Sequence, residues 1–89
     1  MNTSAPWEVR LAASARKSLE SIPPDDRARL HAVLKEMAAN PFQGDIKVLR
    51  GAERMLRRRV GAWRIFFFRV RNERRIVVTA IHRRSSTTD

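Results

Sequence analysis

The apolar pattern of this chain changes its period partway along, and that change limits how much of it can be helix. Between Pro24 and Ala38, the residues Leu30, Val33, Leu34, Met37 and Ala38 recur at three- and four-residue steps, forming the buried stripe of an amphipathic helix. After Leu56 the stripe is gone. Leu56–Val60, Trp63–Val70 and Ile76–His82 are short runs rich in β-branched and aromatic residues, split by Gly61-Ala62 and by Arg71-Asn72-Glu73-Arg74, which is the composition of strands joined by turns. Helix must therefore come early and sheet late.

The first part fills in around that division. Trp7, Val9 and Leu11 alternate with Glu8 and Arg10, the period of a half-buried strand. Ser14 is read as an N-cap, with Ala15, Leu19 and Ile22 as the buried face of a short helix that Pro23 stops. Pro24, Asp25 and Asp26 suit the first turn of a second helix, which Asn40-Pro41 ends. Pro41 to Gly51 reads as a loop turning at Gly44-Asp45. The expected fold is α+β, in the order β-α-α-β-β-β, a two-helix hairpin packed on one face of an antiparallel sheet. Its 89 residues form a single domain over 1–89, with 84–89 a flexible tail.

Several classes drop out on composition. With no cysteine there is neither disulfide nor thiolate metal site, which fits a reducing cytosol. The opening MNTSAPWEV lacks the order of a signal peptide, and the longest apolar run, Ile65-Phe66-Phe67-Phe68, is too short to span a bilayer. A cytoplasmic protein with no membrane partner is expected. Paired carboxylates, metal-ligand clusters, a serine triad and a glycine-rich phosphate loop are all missing from the sequence, so neither cofactor nor metal is expected.

Charge is strongly one-sided. Residues 1–46 carry six Lys/Arg and six Asp/Glu, whereas residues 47–89 carry thirteen Lys/Arg against Glu53, Glu73 and Asp89, the whole of the net +10. Twelve of those thirteen are arginine, the side chain whose planar fork matches a phosphate bidentately. A basic field of this kind on strands is the electrostatic footprint of a protein that holds a phosphate backbone.

The Gly61-Ala62 connection sets where those arginines point. Glycine first suits a type II′ turn, which makes Val60 face Trp63 and Arg59 face Arg64. Period two then puts Leu56, Val60, Trp63, Ile65 and Phe67 on the face covered by helices, and Arg57, Arg59 and Arg64 together on the other. Like charges opposed across a ladder are destabilising, and a bound polyanion would remove that penalty; the plainer alternative is a solvated charged face. Arg58 falls on the core side and is expected to snorkel out at a sheet margin. Phe66 and Phe68 accompany the arginines, either to stack bases or to pack under a terminal helix or partner chain. His82, at the end of the last strand, is either structural or an acid–base group, and His31 is expected to face solvent.

The run Ala39-Asn40-Pro41 into Leu49-Arg50-Gly51, then Arg57-Arg58-Arg59-Val60-Gly61-Ala62-Trp63-Arg64-Ile65, then Ile81-His82-Arg83-Arg84 resembles the RelE/ParE superfamily of bacterial type II toxins. The usual form of these stretches there is NP, LKG, YRLRVGDYRVIY and HR, and the match runs in order over residues 7–84. The resemblance implies a small α+β toxin of the cytoplasm, neutralised by a cognate antitoxin. In RelE-like members it implies ribosome-dependent cleavage of messenger RNA, a metal-independent endoribonuclease activity that blocks translation. Carried over by position, the residues that hold and activate the scissile phosphate would be Arg57, Arg59, Arg64 and Arg83; His82 is added as a catalytic candidate from its own chemistry, and Arg50, Arg84 and Phe66 are expected to contact RNA.

RelE-like enzymes commonly carry a tyrosine near the C-terminal end. This sequence has none; Thr87 or Thr88 stands about where it would be. Arginine is a poor general base at neutral pH, so a ribosomal group, water or His82 would have to move the protons. A ParE-like toxin that inhibits DNA gyrase shares the fold and is the main alternative. A nucleic-acid- or antitoxin-binding module without nuclease activity is the third. The short second helix, the NP-to-LRG connector and arginine at both 57 and 59 favour the RelE-like branch.

Overall fold

The computed structural model describes residues 6–49 and 54–84. Strand β1 (Glu8–Leu11) leads into helices α1 (Ala13–Ser21) and α2 (Pro24–Ala39), followed by β2 (Ile46–Val48), β3 (Leu56–Val60), β4 (Trp63–Val70), a 3₁₀ turn at Arg71–Glu73, and β5 (Arg75–Arg83). The five strands form one sheet in the order β1-β5-β4-β3-β2. The two helices cover one of its faces.

Local chemistry accounts for the helix ends. Ala12, not Ser14, occupies the N-cap of α1, without a side-chain bond; Ser14 falls inside the first turn because Ala13 already has helical geometry. Helix α2 begins at Pro24, whose fixed φ and missing N–H suit that position, and Asp25 and Asp26 lie in its first turn. At its far end Asn40 stops the helix, and its Oδ1 accepts a hydrogen bond from the Phe42 N–H at 3.0 Å, turning the chain toward the sheet.

The meander β3-β4-β5 is antiparallel, as the sequence predicts, and the sheet is larger than that meander at both margins. Ile46–Val48, read as loop, pairs antiparallel with β3 through Ile46↔Arg58 and Val48↔Leu56. At the opposite margin β1 pairs with β5 in parallel, Glu8↔Arg75 through Leu11↔Val78, so the sheet is mixed. The core lies between this sheet and the helices: Ala15, Leu19, Ile22, Leu30, Val33, Leu34 and Met37 meet Leu56, Val60, Trp63, Ile65, Phe67, Ile76, Val78 and Ile81.

One irregularity in β5 matters for the site. Phe66 pairs with Ala80 but Phe67 pairs with Val78, leaving Thr79 as an extra residue whose hydroxyl donates to the Phe66 carbonyl at 3.2 Å. Such a bulge shifts the alternation of everything beyond it. Ile76 and Val78 point to the core, and after the bulge so does Ile81, 2% exposed. His82 is thereby turned to the open face and Arg83 to the helix side, the reverse of uninterrupted alternation from Ile76. Among the described residues no helix is long and apolar enough to cross a membrane.

Candidate phosphate-facing site

The β3–β4 turn has Gly61 at φ +58, and the registers Val60↔Trp63, Arg59↔Arg64 and Arg57↔Phe66 follow from it. Across the next strand Arg64 lies opposite His82 and Phe66 opposite Ala80. The open face therefore carries two adjacent rows: Arg59, Arg64 and His82 in one, Arg57, Phe66 and Ala80 in the next. Directly opposed residues place their Cβ atoms roughly 4.5–5.5 Å apart, close enough for one phosphate to meet several of these side chains.

The rows are more packed than an open charged face. Arg57 is 7% exposed, and the Nε atoms of Arg57, Arg59 and Arg64 are screened from solvent. Arg59 also has Asp45 at its side, Nε to Oδ2 at 3.8 Å, while its backbone N–H donates to the Asp45 carbonyl at 3.0 Å. Asp45, read from the sequence only as half of a turn, thus becomes a neighbour of the site through the pairing of β2 with β3. His82 is exposed, and its ring lies 5.6 Å from that of Phe66 at an interplanar angle of 59°. Phe68 shares this face, opposite Val77.

Two other predicted residues lie elsewhere. Arg83 sits opposite Trp63 with its guanidinium 5.8 Å from the Trp63 ring centre, on the helix side of the sheet, away from Arg59, Arg64 and His82. Arg84, read with the tail, is exposed, and its N–H donates to the Ala62 carbonyl at 2.5 Å, beside the turn. Arg50, Thr87 and Thr88 lie outside the described residues. His31 is exposed, on α2. Among the described residues no three or more His, Cys, Asp or Glu come together as a metal would require.

Arg58 points to the helix side as predicted but does not reach out to solvent. Its guanidinium donates to the Gln43 carbonyl at 3.0 Å and to Glu36 of α2 at 3.2 Å, and its side chain is 11% exposed. Gly44 makes room for it: a Cβ there would lie 2.3 Å from the Arg58 guanidinium carbon, and Gly44 has φ +108. Arg58 thus fastens the 41–45 segment to β3, which holds Asp45 beside Arg59.

This arrangement can hold and neutralise a phosphate. Guanidinium groups that share one sheet face can stabilise charge on phosphate oxygens, and His82 adds an imidazole to the row. An aromatic ring beside them offers a stacking surface for a base.

No family profile matches the chain. A candidate RelE1 toxin of Methanocaldococcus jannaschii is 26% identical over 81 residues, 88% of this chain and 90% of that protein. Among solved structures, the RelBE2 toxin–antitoxin complex of Mycobacterium tuberculosis contains a chain that superposes with a TM-score of 0.81 at 19% identity, covering 94% of this chain and 98% of that one. A chain of the RelE–RelB complex of Pyrococcus horikoshii gives 0.78 at 19% identity over 91% of this chain and 98% of that one. The isolated RelE toxin of E. coli gives 0.76 at 16% identity, covering 89% of this chain and 85% of the other.

Proposed function

We propose that this chain is a RelE-like toxin of a toxin–antitoxin pair and cleaves messenger RNA on the ribosome. The observation that carries the reading is the row Arg59, Arg64 and His82 with Arg57 and Phe66 beside it. In that reaction a ribose 2′-oxygen attacks the adjacent phosphorus as the bond to the 5′-oxygen breaks. A 2′,3′-cyclic phosphate and a free 5′-hydroxyl result. The 2′-hydroxyl loses its proton and the departing 5′-oxygen gains one.

The arginines supply in-line positioning and offset the growing phosphate charge. Phe66 stacks a flanking base, and Arg84, beside the same turn, contacts the strand, with Arg50 assigned there from the sequence alone. His82 moves one of the two protons, the role left open by the missing tyrosine. Arg83, on the helix side, acts on RNA only if Trp63 releases it.

Two of the similar structures are toxin–antitoxin complexes, which supports an antitoxin as partner. A toxin of net +10 is complemented by an acidic antitoxin, since opposite charge speeds encounter and fixes register. Expression of the chain in a bacterium, with protein synthesis, transcript ends and plasmid supercoiling followed together, tests the reading. Arrest of translation with new ends in ribosome-bound messages is expected. Loss of supercoiling with messages intact would transfer the protein to the gyrase-inhibiting alternative. In purified translation reactions His82→Gln should slow cleavage by about 10²–10⁴-fold, the span of general acid–base catalysis, while ribosome binding persists.

A further inference from the structure

A second group of arginines lies at the other end of β4. Arg54, Leu56, Arg69, Val70, Arg71 and Asn72 line a cavity of about 430 Å³ at the end of the sheet away from the Gly61 turn. Arg69 falls on the helix side, opposite Ile76, five residues beyond Arg64 on β4, which is roughly 17 Å along a strand. It donates to the Pro41 carbonyl at 3.2 Å and lies 4.3 Å from the Phe42 ring centre, with Arg71 5.2 Å from the same ring.

None of these contacts supplies negative charge. Elsewhere carboxylates answer arginines, as Glu36 does for Arg58 and Glu8 for Arg75; among the described residues no carboxylate pairs with Arg54, Arg69 or Arg71. Burial, and then the charge of Arg71, push the Arg69 guanidinium below its ordinary value. Arg54 holds φ +70, sparsely populated for a residue with a Cβ. Like charges gathered in a cavity under these conditions are stabilised by an anion.

We propose that Arg54, Arg69 and Arg71 form a second phosphate-binding site, which takes a backbone phosphate of single-stranded RNA flanking the segment held by Arg59 and Arg64. The inference rests on the RNA-cleavage reading for the identity of the strand. A tetrahedral phosphate offers acceptors to several guanidinium forks at once, whereas a lone carboxylate occupies one. The cavity also exceeds a bare ion, and Leu56 and Val70 give it apolar walls suited to a sugar or base. An acidic peptide is the competing occupant.

Two measurements on the full chain decide it. In the first, titration with inorganic pyrophosphate should shift the Nε–Hε resonances of Arg69 and Arg71 in ¹⁵N NMR spectra; unmoved resonances overturn the site. In the second, binding of a fluorescent oligouridylate is followed against salt. Arg69 helps hold Pro41, so the variant is Arg54→Gln with Arg71→Gln, which leaves that hydrogen bond in place. It should bind about tenfold more weakly, with a log–log salt slope shallower by about 0.7 for each phosphate no longer neutralised. Unchanged affinity and slope overturn the proposal while cleavage by the wild type leaves the functional reading intact. The expected change without cleavage under any condition does the reverse. Weakened binding of oligoglutamate by this variant, with oligouridylate unaffected, overturns the site in favour of an acidic peptide.

Discussion

Two parts of the same open sheet face treat charge in opposite ways. At the β1–β5 margin an arginine faces a carboxylate across the ladder: Glu8 is the direct partner of Arg75 and bonds it at 3.0 Å, while also accepting from Arg10 at 2.8 Å, and Glu73 takes the other side of Arg75. At β3–β4 an arginine faces an arginine, Arg59↔Arg64, with a histidine next in line. Opposite charges across a ladder stabilise a sheet and like charges weaken it. The first margin is explained by folding alone; at the second Asp45 lies 3.8 Å from Arg59, and the proposed phosphate would add to that compensation.

The comparison breaks first if the two faces of β4 do not behave differently. Phe67, fully buried on the helix side, should cost about 3–5 kcal/mol on replacement by Ala. Its near neighbour Arg64, half-buried on the open face, should cost less, about 1 kcal/mol as Arg64→Ala, yet slow cleavage by about 10²–10³-fold, the usual loss for one group that stabilises transition-state charge. Chemical denaturation of both variants beside transcript-end mapping would show it. Equal stability losses would mean that Arg64 belongs to the fold.

A smaller effect sharpens the link between the two regions. Gly44→Ala meets the Arg58 guanidinium and a left-handed backbone, so it should cost about 1–3 kcal/mol and loosen Asp45 from Arg59. Thermal unfolding gives the first, and a changed salt dependence of RNA binding the second. The smallest effect is expected at the carboxylate margin. Hydrogen bonds from Arg10 and then Arg75 hold the Glu8 carboxyl below its ordinary range. A depressed carboxyl stabilises the fold above its unfolded value, about 4.3 for glutamate, and that contribution fades as pH falls through the folded value. Because Glu8 is solvated, the Tm difference between wild type and Glu8→Gln should be slight at pH 7 and vanish in acid.

How much of this was legible in the sequence depended on distance along the chain. The helices and the β3–β4 hairpin follow from local spacing and from a two-residue turn, and the turn alone puts Arg57, Arg59 and Arg64 on one face. Strand β2 offers three residues with a single partner strand, too little pattern to separate from loop. The parallel β1–β5 pair joins segments with no local relation. The Thr79 bulge is silent in composition, since threonine suits any strand, yet it decides that His82 rather than Arg83 stands beside Arg64. Arg58 escaped the snorkelling expectation because Glu36 comes from a helix that only tertiary packing brings near.

The β1–β5 pair also bears on how the protein is made. The Glu8–Arg75 contact spans 67 residues of chain, so a polypeptide leaving the ribosome exposes β1 long before the strand that shelters it exists. Contacts so far apart in sequence are reached late, after the helices and the hairpin have formed. Strand β5 both docks β1 and carries His82 to Arg64, so edge and site are completed in one step. A nascent chain that stops before Arg75 has neither a closed sheet nor a full row, and gains both together once β5 has been made.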